Sequence, residues 1–265
     1  MPNVISESEK TPTRIRSASR AIRLLTLAAR SSEGLGPSEA ARALGVAVPT
    51  AYHLLATLCD EGVLARDARR RFVLGPRVGV LVDGFLRDGA PPEYLLAPLR
   101  QLAAETAETA YLTAWRGTEI HVLASLEGAN AVRVAGAECG PYRFPHARAT
   151  GKLLLAFTHA GSRRALLDGP LEALTAHTIV DRARLELELA EIRERGWAED
   201  HEEFAEGVAC LSVPMLLDGV AVAAYTLSAP VARFARDHER LLAAARRAAA
   251  AAADPAPHHE SLETP

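Results

Sequence analysis

The sequence predicts an α+β protein of two domains, and three observations carry that prediction. Three short amphipathic helix patterns followed by a hairpin fill the first third of the chain. Helix-like and strand-like patterns then mix to the end of 265 residues, a length that suits two modest domains. The charge divides at the same place. Residues 14–77 hold eleven arginines against five acids, a net +6, while residues 1–13 carry −1 and residues 78–265 carry −8. A basic first third on an acidic body directs the first domain towards a polyanion.

Residues 1–13 are polar and contain prolines, and they are expected to be a disordered tail, as are residues 254–265. The first domain is placed at 14–75. A helix is expected from about Ser17, capped by Ser17 or Ser19, with Ala21, Leu24, Leu25 and Ala28 inside. A second helix follows with Pro37 in its first turn, Glu39 at the positive end of its dipole and Gly45 as its stop. In the third, Ala51, Leu54, Leu55 and Leu58 recur at i, i+3, i+4 and i+7 and form a buried stripe ended by Gly62. Its other face, Pro49, Thr50, His53, Ala56 and Thr57 with Tyr52 on the flank, is short and uncharged.

"GVLARD" and "RRRFVLG" read as two strands around an arginine-rich turn. Three helices and a hairpin, in that order, make a winged helix-turn-helix. Thr50, Tyr52, His53 and Thr57, with Pro49, are then expected to face a major groove. Arg20 and Arg23 on the first helix, and Arg69, Arg70 and Arg71 on the wing, are expected to carry the phosphate contacts. The partner is double-stranded DNA, expected as a near-palindrome if the protein is a two-fold dimer.

Residues 76–90 are expected to form a linker helix with Val78, Leu81, Val82 and Phe85 on one side, and with Gly79 and Gly84 permitting close packing. The second domain is placed at 91–253. Leu95, Leu99 and Leu102 mark a helix. "AYLTAW", "EIHVLASL" and "AVRVAG" read as strands, "ATGKLLLAF" as a helix and "SRRALLDG" as a weaker one. A long helix ends at Gly196, two strands follow ("GVACLSVPML" and "VAVAAYTLS"), and an alanine-rich helix closes the domain. Strands from both ends of the domain with helices between them describe one sheet covered by helices.

Composition narrows the function. Hydrophobic residues make up 49% and charged residues 24%, enough for a real core, and no apolar run is long enough to span a bilayer. The N-terminal segment has no apolar signal core, so no export and a cytoplasmic location are expected. Cys59, Cys139 and Cys210 are widely spaced, odd in number and expected as free thiols. There is no HExxH, GxSxG or Walker loop. No enzymatic activity, metal or cofactor is expected.

The segments "SASRAIRLLTLAA", "GPSEAARALGV" and "PTAYHLLATLCDEGVLARDARRRFVLGPRV", then "PHARATGKLLLAF", "IRERGWAEDHEEFAEGVACLSVPM" and "AAYTLSAP", occur in one order. Together they resemble the IclR family of bacterial transcription regulators. That resemblance implies a winged helix-turn-helix, a linker helix and a GAF-like α/β effector-binding domain, in homodimers that often pair into homotetramers. Where the family usually carries a basic residue and an arginine on the reading helix, this chain has Val48 and His53.

The resemblance also implies an effector site. Ala149, Thr150 and Gly151 begin a helix whose amides face the ligand, while Asp200, Val208, Cys210, Thr226 and Ser228 line the same pocket. From the residues alone, Val208, Cys210 and Ser212 share one strand face, and Thr226 and Ser228 share a face of its neighbour. Arg143, His146 and Arg148 lie just before the helix, each able to pair with a carboxylate. A small organic acid, aromatic or 2-oxo, is the expected effector, and repression is the expected mode. The alternatives are a sensor whose DNA binding is weakened or lost, or a metal-binding or enzymatic domain of the same form.

Overall fold

The computed structural model describes residues 15–31, 33–87, 91–116, 119–158, 163–164, 167 and 169–254, with the side chains of 83 and 85–87 left aside. The chain divides between Gly89 and Ala90 into two compact units. Both expected tails, apart from Asp254, and half of "SRRALLDG" fall outside the described residues.

The first unit holds α1 (Arg16–Arg30), α2 (Pro37–Leu44), α3 (Val48–Asp60), β1 (Leu64–Arg66), β2 (Phe72–Leu74) and α4 (Arg77–Arg87). Helix α1 starts ahead of the expected serine caps. Ile15 is its N-cap and has no side-chain cap, and the Ser19 N–H bonds Ile15 O at 3.2 Å, so Ser17 and Ser19 lie inside the helix. Helix α2 starts as the sequence says. Pro37 occupies the first turn, and the Glu39 carboxylate accepts the Gly36 N–H at 2.9 Å. Gly45 ends it at φ 64°, a left-handed conformation that glycine adopts without a Cβ clash. Helices α2 and α3 then meet at 109°. Leu24, Leu44, Leu55, Leu64 and Phe72 close the core. Of the predicted stripe, Ala51, Leu55 and Leu58 are buried and Leu54 is half-buried. Helix α4 differs from expectation: Leu81 and Val82 are exposed, and a Cβ on Gly79 or Gly84 would meet nothing within 4 Å.

The second unit is one antiparallel six-stranded sheet between two helical layers. Its strands are β3 (Thr109–Arg116), β4 (Glu119–Leu126), β5 (Gly140–Pro141), β6 (Ala198–His201), β7 (Val208–Leu217) and β8 (Val220–Pro230), in the spatial order β5-β4-β3-β8-β7-β6. One sheet face packs on α5 (Glu93–Thr106) and on the last helix, α8 (Val231–Ala253). Tyr225 crosses this layer and donates its hydroxyl to Leu95 O at 2.8 Å. The other face meets α6 (Ala149–Phe157) and α7 (Arg182–Arg195). Helix α7 is capped by the Asp181 side chain at its start and by left-handed Gly196 at its end.

Two strand readings are corrected. "AVRVAG" is not a strand: Val132 is exposed, Val134 O accepts the Thr109 hydroxyl, and the short strand that pairs with β4 is Gly140–Pro141. The alternation of Val132 and Val134 comes from a loop with one wet side and one cavity side. Strand β6, which pairs Ala198 through His201 with β7, has only four residues and gave no clear pattern.

Candidate functional site

In the first unit, α3 and the β1–β2 hairpin present one continuous outer surface. Pro49, Thr50, Tyr52, His53 and Thr57 are all exposed on α3. Thr57 donates its hydroxyl to His53 O at 2.9 Å, and the Tyr52 hydroxyl accepts from Arg66 at 2.9 Å. The Arg66 guanidinium also lies 5.5 Å from the Tyr52 ring centroid and 5.0 Å from that of Phe72. Arg66 therefore braces the tyrosine against the wing.

The wing turn is organised by Asp67. Its carboxylate accepts the backbone N–H groups of Arg69 at 3.0 Å and Arg71 at 2.7 Å, and Arg70 sits between them at φ 60°. The three wing arginines then separate by role. Arg71 turns back: its guanidinium donates to Glu33 O at 3.1 Å, Gly34 O at 2.8 Å and the Glu39 carboxylate at 2.7 Å. It latches the wing to the start of α2. Arg69 pairs with Glu33 at 2.5 Å in the open. Arg70 is exposed, and its guanidinium makes no hydrogen bond or ion pair among the described residues. On α1, Arg23 is exposed and donates to Ala43 O at 3.1 Å, closing the end of α2, and Arg20 is half-buried.

In the second unit, a cavity of about 370 Å³ opens on the α6 side of the sheet. Arg143, Val208, Cys210 and Ser228 line it as the sequence reading expects. Cys210 and Ser228 are directly opposed on β7 and β8, with sulfur and hydroxyl 3.0 Å apart. Burial pushes the Cys210 thiol up to about 12, so it remains a neutral wall group.

Six expected residues do not line the cavity. Thr150 and Thr226 bond one another at 2.5 Å, with Ser212 adding a 2.8 Å bond to Thr226. Ala149, Thr150 and Gly151 are buried, and a Cβ on Gly151 would come within 2.2 Å of Pro145 O. The turn at Pro145–Ala147 therefore covers the start of α6, and its amides do not open to the cavity. His146 is buried and paired with Glu172 O at 2.9 Å. Asp200 is buried below the wall, where its carboxylate accepts the N–H groups of Glu203 at 2.8 Å and Phe204 at 3.4 Å. It acts by setting Phe204 in the wall. Burial pushes its own carboxyl up to about 6.

The group that dominates the cavity is Arg148, the residue just before α6. Its guanidinium is stacked between Tyr142, 4.0 Å from the ring centroid, and Phe204, 4.2 Å away. It has no hydrogen bond or ion pair among the described residues. Beside it the Tyr142 hydroxyl is buried and unpartnered, and Tyr111 completes the floor. Tyr111, Tyr142 and Phe204 are the aromatic residues beside Arg148 that sequence reasoning missed, and Val122, Val134, Glu138 and Phe144 are further lining residues it did not name. The only signal for the first three was aromatic character in strand β3 and in two loops.

Under α6, Lys152 is 1% exposed and pairs with Glu203, with Glu188 at 3.9 Å. Among the described residues no His, Cys, Asp and Glu cluster of metal-binding form occurs, and no single helix is long and apolar enough to cross a membrane.

A winged helix-turn-helix joined to a sheet domain with a small-molecule cavity is the build of a ligand-responsive transcriptional regulator. The helix-turn-helix family described for IclR matches residues 17–68, and the family described as bacterial transcriptional regulator IclR C-terminal matches residues 93–254. The chain belongs to the IclR family and is a transcriptional regulator rather than an enzyme. It is 34% identical over 222 residues to the HTH-type transcriptional regulator BhcR of Paracoccus denitrificans, covering 83% of this chain and 79% of that one. It is 32% identical to the glycerol operon regulatory protein of Streptomyces griseus, covering 84% of this chain and 88% of that one. Among solved structures it is similar to the IclR transcriptional regulator of Alicyclobacillus acidocaldarius, with 27% identity, a TM-score of 0.57, and coverage of 91% of this chain and 98% of that one.

Proposed function

We propose that this protein grips operator DNA with α3 and the wing, and that a small organic acid in the sheet-domain cavity shifts its DNA affinity. The observation that carries the first half is the pairing of an exposed, uncharged α3 face with the free guanidinium of Arg70 at the wing tip. Thr50 and His53 read base edges or phosphates, Pro49 lets the backbone approach closely, and Arg70 takes a phosphate, with Arg20, Arg23 and Arg69 adding to the field. Tyr52 and Thr57 shape the same face, and Arg71 holds the wing in place. The second half rests on an unpaired cation inside a cavity, which calls for an anion.

The reading further takes the protein as a cytoplasmic homodimer, or a dimer of dimers, that represses from a near-palindromic site. Apolar side chains left exposed in the first unit support self-association: Ile22 on α1 and Val80, Leu81 and Val82 on α4. Such an effector must bind the DNA-competent and DNA-incompetent states with different affinity.

A gel shift with the DNA upstream of the protein's own gene, repeated across a salt series, tests the first half. Arg70→Ala should weaken binding to every duplex and flatten the salt slope by about 0.9, the share of one neutralised phosphate. An unchanged slope removes Arg70 from the interface, and no affinity for any duplex at low salt removes the DNA reading.

A further inference from the structure

A second cavity, of about 320 Å³, lies in the sheet domain against α7 and the edge strand β6. It shares no lining residue with the cavity that holds Arg148. Helix α7 contributes Arg184, Glu188 and Arg195, spaced at i, i+4 and i+11 and therefore on one face. Strand β6 and the turn after it contribute Glu199, His201 and Glu203, and the segment before α7 gives His177 and Ile179. Among the described residues that line it, Ile179 alone is apolar, so the wall suits a polar ligand.

Most of the charge here is already matched. Buried Lys152 pairs with Glu203 Oε1 and stands 3.9 Å from Glu188. Arg195 pairs with Glu188 at 3.0 Å. The Glu199 carboxylate is shared by His201, at 2.8 Å, and His238. Two bonding needs are left over. The Arg184 guanidinium is exposed and makes no hydrogen bond or ion pair among the described residues. Glu203 is 8% exposed, and its second oxygen, Oε2, is buried without a partner. A carboxylate oxygen left in that state is costly. The terminal torsion of a glutamate is soft, so a small rotation brings Oε2 to a donor in the cavity that Glu203 lines.

The leftover groups are one cation and one anionic acceptor. The ionised groups around them also balance, with Lys152, Arg184 and Arg195 against Glu188, Glu199 and Glu203. A ligand without net charge preserves that balance. A phosphate ester would set two negative charges beside three glutamates. We propose that this second cavity binds a free amino acid as its zwitterion, with the carboxylate on Arg184 and the ammonium donating to Glu203 Oε2. The exposed His177 ring gives the ligand's side chain a further polar contact. The site is independent of the organic-acid reading of the first cavity.

Calorimetric titration of the full-length chain tests the assignment, with L-serine and L-glutamine as probes. Ethanolamine, which lacks the carboxylate, and glycerate, which lacks the ammonium, are the half-ligands. At least one amino acid should bind about tenfold or more tightly than either half-ligand. Arg184→Gln should weaken amino acid binding by about tenfold, as should Glu203→Gln. Arg148→Gln, in the other cavity, and Arg236→Gln, on the exposed side of α8, should leave it unchanged. Thermal melts identify any variant that fails to fold. Arg184 has no protein partner to lose, so Arg184→Gln keeps the test decisive if Glu203→Gln does not fold.

Silence from both amino acids overturns the inference, as does equal or tighter binding of ethanolamine or glycerate. Unchanged affinity in Arg184→Gln overturns the anchor. Amino acid binding that is lost in Arg148→Gln and kept in Arg184→Gln places the ligand in the first cavity and overturns the second site. None of these results bears on whether an organic acid occupies the first cavity, so the two readings stand or fall separately.

Discussion

The candidate DNA face runs consecutively along the chain, with Pro49 to Thr57 on one helix and Arg66 to Arg71 on one hairpin. The cavity draws Tyr111, Tyr142, Arg148, Phe204, Cys210 and Ser228 from strands and loops more than a hundred residues apart. The first is an outside surface whose groups await a large partner. The second is an inside surface whose groups must first be satisfied by one another. That is why Thr150, Thr226 and Ser212 bond among themselves, whereas Thr50, His53 and Arg70 stay open. Polar side chains on a buried sheet face are therefore poor predictors of ligand contact, because buried hydroxyls find protein partners first.

The same contrast orders the expected effects of mutation. The largest belongs to Lys152, whose burial leaves Glu203 uncompensated if the ammonium is lost. Lys152→Met should destabilise the sheet unit by about 3–5 kcal/mol, and Lys152→Met with Glu203→Leu should recover much of it. Denaturant melts that show a single variant no worse than the double would remove the pair from the scaffold.

Asp200 comes next, and its effect depends on pH. Its carboxyl is pushed up to about 6 in the folded protein, above its unfolded value. Its contribution is favourable at the acid end, declines as pH rises through about 6, and is constant above that. Asp200→Asn keeps an oxygen acceptor for Glu203 and Phe204 but cannot ionise. Its stability advantage should grow from nil near pH 4 to on the order of 2 kcal/mol at pH 7. A difference that does not vary with pH would show that the carboxyl titrates normally.

Smaller still are the wing effects, and here two neighbouring arginines should part company. Arg71→Ala loses three acceptors across the latch and should lower the melting temperature by a few degrees, weakening DNA binding through the misplaced wing. Arg70→Ala should leave the melting temperature unchanged and act on DNA alone. Equal thermal losses in the two variants would erase the distinction between latch and DNA contact.

How much was legible follows from the same geometry. Pro37, Glu39 and Gly45 punctuate α2 as read, and the stripe from Ala51 to Leu58 packs inward, because caps and periodicity act over one or two turns. On the sheet, the opposition of Cys210 to Ser228 and of Ser212 to Thr226 follows from alternation along two adjacent strands. The loop from Val132 to Ala137 deceived, since Val134 is apolar for the cavity and not for a sheet. His146 looked like a free histidine before the helix, and a backbone carbonyl 26 residues away holds it instead.

Taken alone, the amino-acid sequence determined the helices, the wing, the charge split and the family, since each depends on neighbours within a few positions or on a pattern repeated along the chain. Tertiary structure alone decided that Arg71 turns inward while Arg70 stays out, that α6 begins under a covering turn, and that Arg148 stands between two rings. These outcomes depend on groups far apart in the chain that only folding brings beside a side chain.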